Sequence, residues 1–105
     1  MKIYSLGPDN LEDYELTQIT EDQFEWLVYS YENYGYEGGG DAVALGKDGS
    51  LYYSSLSHCS CYGPTESWPD KKMSIEEFLR DKDNVHDYHF MEEVDKKVRA
   101  LLKKM

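Results

Sequence analysis

The chain has 105 residues, enough for one modest hydrophobic core, and its charge is strongly one-sided. It carries 21 acidic and 11 basic residues, a formal net charge of −10 at pH 7. This charge excludes a general nucleic-acid binder, which needs a basic surface to neutralise phosphates, and it argues against docking on anionic lipid. No apolar run reaches membrane-spanning length, and no hydrophobic signal segment follows Met1. We therefore expect an intracellular protein of one domain.

The negative charge is concentrated in the first two thirds of the chain. Residues 1–70 contain 13 acidic and two basic residues, whereas residues 71–105 contain eight acidic and nine basic residues. An acidic surface can serve solubility alone. It can also attract a basic partner and steer its approach, and the segregation along the chain favours this second interpretation.

The first predicted elements are a short strand and a helix. The strand covers residues 1–6. Thr20 and Gln23 form a capping box, and the apolar spacing that follows predicts a helix that ends around residues 33–35. The core stripe of this predicted helix consists of Phe24, Leu27, Val28 and Tyr31.

The clearest local signal is a β-hairpin. Residues 41–47 and 50–56 are strand-like runs, and the dipeptide Asp48-Gly49 joins them. This dipeptide is typical of a two-residue type I′ turn, because both of its central positions need a positive φ. The pattern therefore predicts an antiparallel pair of strands over residues 41–56.

Two further helices are predicted in the last third of the chain. Ser74 and Glu77 form a second capping box, which opens a short helix to about residue 82. Asn84 is suited to cap a last helix that runs nearly to the C-terminus, with an apolar seam of Met91, Val94, Val98, Leu101 and Met105. Together the elements predict a single α+β domain, in which a small antiparallel sheet (hairpin 41–56 plus the N-terminal strand) packs against about three helices.

The two cysteines and three histidines of the chain fall at only two places. Cys59 and Cys61 are two residues apart, so on an extended backbone their sulfurs point to the same side. His86 and His89 are three apart, so on a helix they occupy neighbouring positions of one face. Two thiolates and two imidazoles are the ligand set of a tetrahedral structural zinc site. The sequence therefore predicts Zn²⁺ bound by these four residues, with His58 as the alternate ligand.

The alternative for these residues is two buried thiols and two surface histidines without metal. If zinc binds, an acidic neighbour such as Asp87 is placed to orient an imidazole by a hydrogen bond. A catalytic cysteine is disfavoured, because no basic neighbour or helix N-terminus is evident beside Cys59 or Cys61 to lower a thiol pKa. Four protein ligands would also leave zinc no open position for water. We expect no enzyme activity.

The predicted first helix also has an outer face, which combines carboxylates with aromatic rings. Aromatic side chains anchor protein partners, and carboxylates select partners with basic surfaces. We predict a partner-binding surface formed by Asp22, Glu25, Trp26, Tyr29 and Glu32. The alternative is that Trp26 and Tyr29 pack inside the domain.

The segment from Gly38 to Pro64 carries a resemblance to known proteins. It reads GGGDAVALGKDGSLYY and, further on, HCSCYGP, and it resembles a stretch shared by small proteins of phages and mobile elements. With its size and acidity, the chain is similar at the level of class to anti-CRISPR proteins, especially those that act on type II Cas9. No site residue is carried over from this resemblance.

The resemblance implies a function and a location. A protein of this class acts in the cytoplasm of the infected bacterial host, where it binds Cas9 stoichiometrically and blocks target DNA loading or cleavage. Cas9-type effectors hold nucleic acid in a positively charged channel, which suits an acidic partner. The implied partner is therefore a basic protein surface, with no direct binding of nucleic acid or membrane.

Three other functions fit the same sequence. The first is another phage anti-defence or host-takeover binding protein with a different basic target. The second is a small metal-dependent enzyme, in which Cys59 would be needed for turnover. The third is a structural component of the phage particle, which would assemble on its own or with capsid parts.

Overall fold

The structure is a computed structural model that describes residues 2–11, 16, 19, 23–33, 38–56, 68, 71–80 and 92–104. Within these ranges the elements are, in chain order, β1 (Lys2–Ser5), β2 (Phe24–Asn33), β3 (Gly38–Gly46), β4 (Ser50–Ser55), β5 (Lys71–Ser74), α1 (Ile75–Arg80) and α2 (Glu92–Lys103). The predicted α+β class is confirmed. The described part of the chain is, however, mostly sheet, and it has two helices rather than about three.

The five strands form one mixed sheet in the order β1-β2-β3-β4-β5. β1 runs parallel to β2, and every other neighbouring pair is antiparallel. The N-terminal strand and the 41–56 hairpin are thus confirmed, whereas the expectation of a purely antiparallel sheet is wrong. Parallel neighbours need a crossover connection, and residues 6–23 form it.

The helix predicted after Thr20 is wrong, because residues 24–33 form strand β2. The spacing that suggested a helix arises from a β-bulge between Phe24 and Trp26, which places Phe24 on the same side of the sheet as Leu27. From Trp26 onward, side chains alternate between the two faces, and both faces are buried. A strand that is buried on both faces shows no alternation of polar and apolar residues in its sequence.

The turn between β3 and β4 differs in detail from the predicted one. The Gly49 amide donates to the Gly46 carbonyl at 3.0 Å, and Gly49 has a φ of +87°. The connection therefore contains three residues, 47–49, with glycine at the left-handed position that closes such loops. The two-residue type I′ turn is corrected to this longer form.

Each face of the sheet has its own core. The helix face, which α1 and α2 cover, has a cluster formed by Trp26, Val28, Val43, Leu45, Leu51, Tyr53, Met73, Phe78, Val94, Val98 and Leu102. The opposite face, here called the crossover face, has a cluster formed by Leu11, Ile19, Phe24, Leu27, Tyr29, Tyr31, Ala42, Ala44 and Leu56. β2 contributes to both clusters, and the sheet therefore lies between two apolar layers.

The helices follow their predicted local signals where they are described. The Ser74 hydroxyl accepts a hydrogen bond from the Glu77 amide at 3.1 Å, which confirms the N-cap of α1. In α2, Val94, Val98 and Leu102 are buried, while Leu101 is half-buried. The predicted start at Asn84 lies outside the described residues. Neither described helix has the length and apolar character needed to cross a membrane.

The strand register defines two ends of the sheet. One end carries Asn33 and Gly38, which pair with each other, and is called the Asn33 end. The other end carries the turn at residues 47–49 and is called the Gly49 end. β4 leaves the sheet at the Asn33 end, because Ser55 is in register with Asp41, and Asp41 is in register with Ser30.

Candidate functional site

The predicted partner surface on β2 does not exist as one face. Glu25 and Glu32 are exposed, but Trp26 is only 8% exposed and Tyr29 only 2%. Trp26 lies in the helix-face cluster and Tyr29 in the crossover-face cluster. Side chains at even and odd positions of a strand point to opposite faces of the sheet, and these two residues are three apart. The two rings are core residues, as the alternative interpretation held. Asp22 lies outside the described residues.

The excess negative charge lies outside the described strands and helices. The described residues include ten acidic and ten basic residues, whereas the rest of the chain includes eleven acidic residues and one basic residue, Lys82. Those eleven are Glu12, Asp13, Glu15, Glu21, Asp22, Glu37, Glu66, Asp70, Asp81, Asp83 and Asp87. The described residues are therefore formally neutral, and the rest of the chain accounts for the net charge of −10.

Several of these segments are attached to the described framework at the Asn33 end. Residues 34–37 join β2 to β3 there, and the connection from β4 to β5 leaves after Ser55 and returns at Lys71, whose strand partner is Tyr53. α2 also begins on this side, since Glu93 contacts Ser30. Six of the eleven acidic residues belong to the segments that attach at these points.

A buried polar row crosses the helix face at this end. Ser30 and Asp41 are 1% and 5% exposed, and they are register partners on neighbouring strands. The Tyr53 hydroxyl donates to an Asp41 carboxylate oxygen at 3.1 Å. The Ser30 hydroxyl donates to Glu93 Oε1 at 2.6 Å and so joins α2 to the sheet. Buried polar groups are tolerated where hydrogen bonds satisfy them, as they are here.

The predicted zinc ligands Cys59, Cys61, His86 and His89, and the alternate His58, all lie outside the described residues. Their points of attachment are described, however. Ser30 on β2 and Ser55 on β4 lie in one row across the sheet, because both are register partners of Asp41 on β3. The backbones of the two serines are therefore roughly 10 Å apart. Cys59 follows Ser55 by four residues, and His89 precedes Glu93 by four. Four residues span at most roughly 14 Å, so the described framework is compatible with a shared site for the four ligands.

A second polar group lies at the Gly49 end. The Asp48 carboxylate accepts hydrogen bonds from the Tyr52 hydroxyl at 2.7 Å and the Ser50 amide at 3.0 Å, and it pairs with Lys72 at 3.5 Å. The Tyr52 hydrogen bond, followed by that of Ser50, lowers the pKa of Asp48. The contact with Tyr52, followed by the charge of Asp48, raises the pKa of Lys72. These bonds tie the turn to β5.

A shallow cavity adjoins this group. Its volume is about 370 Å³, and its walls include Gln23, Lys47, Asp48 and Tyr52. The Asp48 carboxylate is already engaged by three partners, so its bonds serve the turn. Sequence reasoning did not anticipate this arrangement, because it depends on the register that places Tyr52 beside Lys72.

Comparison of the chain with protein-family models, with curated proteins and with solved structures found no match.

Proposed function

We propose that the protein is an acidic, zinc-stabilised binding protein that inhibits a bacterial defence effector stoichiometrically, most concretely the type II effector Cas9. The observation that carries this proposal is the division of charge. The described residues are formally neutral, and the rest of the chain holds eleven acidic residues and one basic residue. Solubility does not require such segregation, and segregated negative charge favours attraction of a basic partner.

The proposed mechanism is occupation of a basic surface. Cas9-type effectors hold their nucleic acid in a positively charged channel, and a compact acidic domain can compete for it. Long-range attraction between the two surfaces would raise the association rate and would weaken with added salt. The Asn33 end is the proposed contact region, because six acidic residues belong to segments attached there. Glu32, which is exposed on β2 one residue before Asn33, adds to it.

Zinc has a structural role in this proposal. Cys59, Cys61, His86 and His89 would hold Zn²⁺ and thereby join the end of β4 to the start of α2. A chain of this size gains stability from such a link, since its core is small. The expected stoichiometry is one zinc per chain, measured by mass spectrometry of the purified protein.

Charge neutralisation tests the binding proposal. We expect the pair Glu66→Gln and Asp70→Asn to weaken Cas9 binding about fivefold or more at low salt. The matched control is Glu76→Gln with Glu77→Gln, which removes the same charge from the exposed first turn of α1. The control should change the dissociation constant less than about twofold. Equal effects of the two pairs would contradict the proposed contact region.

Substitution of a cysteine separates the structural role of zinc from catalysis. We expect Cys59→Ser to lower thermal stability and zinc content together. A metal-dependent enzyme would instead lose turnover while the substituted protein kept its melting temperature. Native stability with full zinc occupancy in the variant would contradict the proposed ligand set.

A further inference from the structure

We propose that the outer edge of β1 pairs with β1 of a second copy of this chain about a two-fold axis. β1 is the first strand of the sheet, and none of the other described strands pairs with its outer side. Lys2, Ile3 and Ser5 are exposed, so this edge is open to a partner. An open edge strand presents backbone donors and acceptors that can pair with another chain. Such pairing is independent of zinc and of Cas9 binding.

The backbone of Ile3 points away from the sheet. The Leu6 amide donates to the Tyr29 carbonyl at 2.9 Å, so the backbone of Leu6 faces β2. Backbone groups of successive residues in a strand point to opposite sides, so Tyr4 also faces β2, whereas Ile3 and Ser5 face outward. Ile3 therefore offers both an N–H donor and a C=O acceptor to a strand that approaches this edge.

The side chain of Ile3 adds an apolar contact at the same point. It is 42% exposed, and the only other exposed large hydrophobic side chain among the described residues is Leu79 on α1. Ile3 is in register with Leu27 of the crossover-face cluster, so its side chain lies on the crossover face. The other edge strand, β5, carries exposed Lys71 and Lys72, and lysines on an edge oppose pairing with another strand. β1 is therefore the edge suited to a partner strand.

A second copy is the partner that these features fit. In an antiparallel pair, two directly opposite residues can exchange both backbone hydrogen bonds, and Ile3 can do so with Ile3 of a second copy. The two side chains then meet on one face, and each covers the exposed surface of the other. In this register Lys2 lies opposite Tyr4 of the second copy, which places a cation beside an aromatic ring. The two-fold axis passes between the two Ile3 residues, so the assembly closes as a dimer in which two five-stranded sheets become continuous.

The net charge of the chain determines how this dimer responds to salt. Each copy has a formal net charge of −10, so two copies repel each other. Salt screens that repulsion, whereas the backbone hydrogen bonds and the contact between the Ile3 side chains do not depend on charge. Dimer formation should therefore strengthen as salt is added, while binding to a basic partner should weaken.

Sedimentation equilibrium of the full chain at several concentrations tests the dimer. We expect a reversible monomer–dimer equilibrium that is populated below about 500 μM, because two short strands form a small interface. Ile3→Lys places like charges directly opposite each other and should weaken the dimer about tenfold or more. Leu79→Lys is the matched control, since it adds the same charge at the other exposed hydrophobic side chain. It should change the dissociation constant of the dimer less than about twofold.

A disulfide tests the register of the two strands. Ile3→Cys should give a covalent dimer on mild oxidation, linked through position 3, because directly opposite residues lie within disulfide distance. Lys2→Cys is the matched control with the same number of cysteines. The two copies of position 2 are displaced from each other by two residues along the strands, roughly 7 Å, and should form no such link. Peptide mass mapping identifies the linked positions.

The outcomes distinguish a second copy from other partners of this edge. A chain that stays monomeric up to about 500 μM would overturn the inference, and so would equal effects of Ile3→Lys and Leu79→Lys. A link through Lys2→Cys with none through Ile3→Cys, or an assembly larger than a dimer, would contradict the two-fold pairing. A monomeric chain whose Cas9 binding is abolished by Ile3→Lys would assign the edge to the effector instead. A dimer that binds no Cas9 would overturn the proposed function and leave the pairing in place.

Discussion

The Tyr53 hydroxyl donates a hydrogen bond to the Asp41 carboxylate at 3.1 Å, and both side chains are buried on the helix face. Tyr53 and Asp41 lie on neighbouring strands, in a face that is otherwise largely apolar. A buried carboxylate depends on such donors, because removal from water disfavours its charge.

Removal of this donor should destabilise the fold. We expect Tyr53→Phe to lower the free energy of unfolding by about 1–3 kcal/mol, since the buried Asp41 side chain loses a hydrogen-bond donor. Urea denaturation measures the change. Tyr52→Phe, which loses a hydroxyl bonded to the exposed Asp48, should cost less than Tyr53→Phe, because solvent screens the exposed interaction. A smaller loss for Tyr53 than for Tyr52 would contradict the buried role of Asp41.

Two adjacent glycines of β3 should respond differently to alanine. A Cβ at Gly40 would collide with the backbone carbonyl of Ser30, whereas a Cβ at Gly39 would enter open space. We expect Gly40→Ala to destabilise the protein by about 1–3 kcal/mol and Gly39→Ala to change stability by about 0.5 kcal/mol or less. Thermal or urea unfolding of the two variants checks the order, and the reverse order would be inconsistent with the β2–β3 register.

The Asp48 group at the Gly49 end should show a pH dependence of known sign. The pKa of Asp48 is lowered in the folded state, chiefly by the Tyr52 hydroxyl. Its stabilising contribution is therefore present above the unfolded pKa and is lost as pH falls through the folded one. An NMR titration should find the pKa of Asp48 below its ordinary value, and Tyr52→Phe should raise it. An unchanged pKa of Asp48 in Tyr52→Phe would contradict the assignment of the lowered pKa to the Tyr52 hydroxyl.

The N-cap of α1 offers a local test. Ser74→Ala removes the hydroxyl that accepts from the Glu77 amide, and we expect a loss of about 1 kcal/mol. Ser74→Asp retains an accepting oxygen and should stay close to the wild-type stability. Denaturant unfolding of both variants measures the difference in stability. Equal losses of stability in the two variants would show that the accepting oxygen at position 74 contributes little.

The elements that could be predicted from sequence are those with local causes. The Ser74 cap depends on residues within one turn, and the hairpin depends on a glycine at position 49 that takes a positive φ. Both signals act without help from distant parts of the chain. The length of the turn was still wrong by one residue, because an Asp-Gly pair also suits a three-residue connection that ends on glycine.

The spacing of apolar residues alone could not identify β2 as a strand. Phe24 and Leu27 are three apart and share a face, which is typical of a helix, but here a bulge produces that arrangement. The signal that could have identified the strand is composition, because aromatic and β-branched residues fill half of residues 24–33. The partner surface predicted on Trp26 and Tyr29 was wrong for the same reason.

The points at which the acidic segments are attached to the sheet could be found only from the strand register. The sequence shows that negative charge is segregated, but it does not show which connections are attached at the same end of the sheet. That information comes from the pairing of Ser55 with Asp41 and of Asp41 with Ser30. The zinc ligands remain a prediction, since all four lie outside the described residues.

The most direct test of the central claim is a binding titration of the purified protein against guide-loaded Cas9 over a range of salt concentrations. The account predicts a one-to-one complex at low salt, an affinity that falls steeply as salt rises, and loss of target cleavage in proportion to the Cas9 bound. Absence of measurable binding at low salt would contradict the claim, and so would binding that is unaffected by salt.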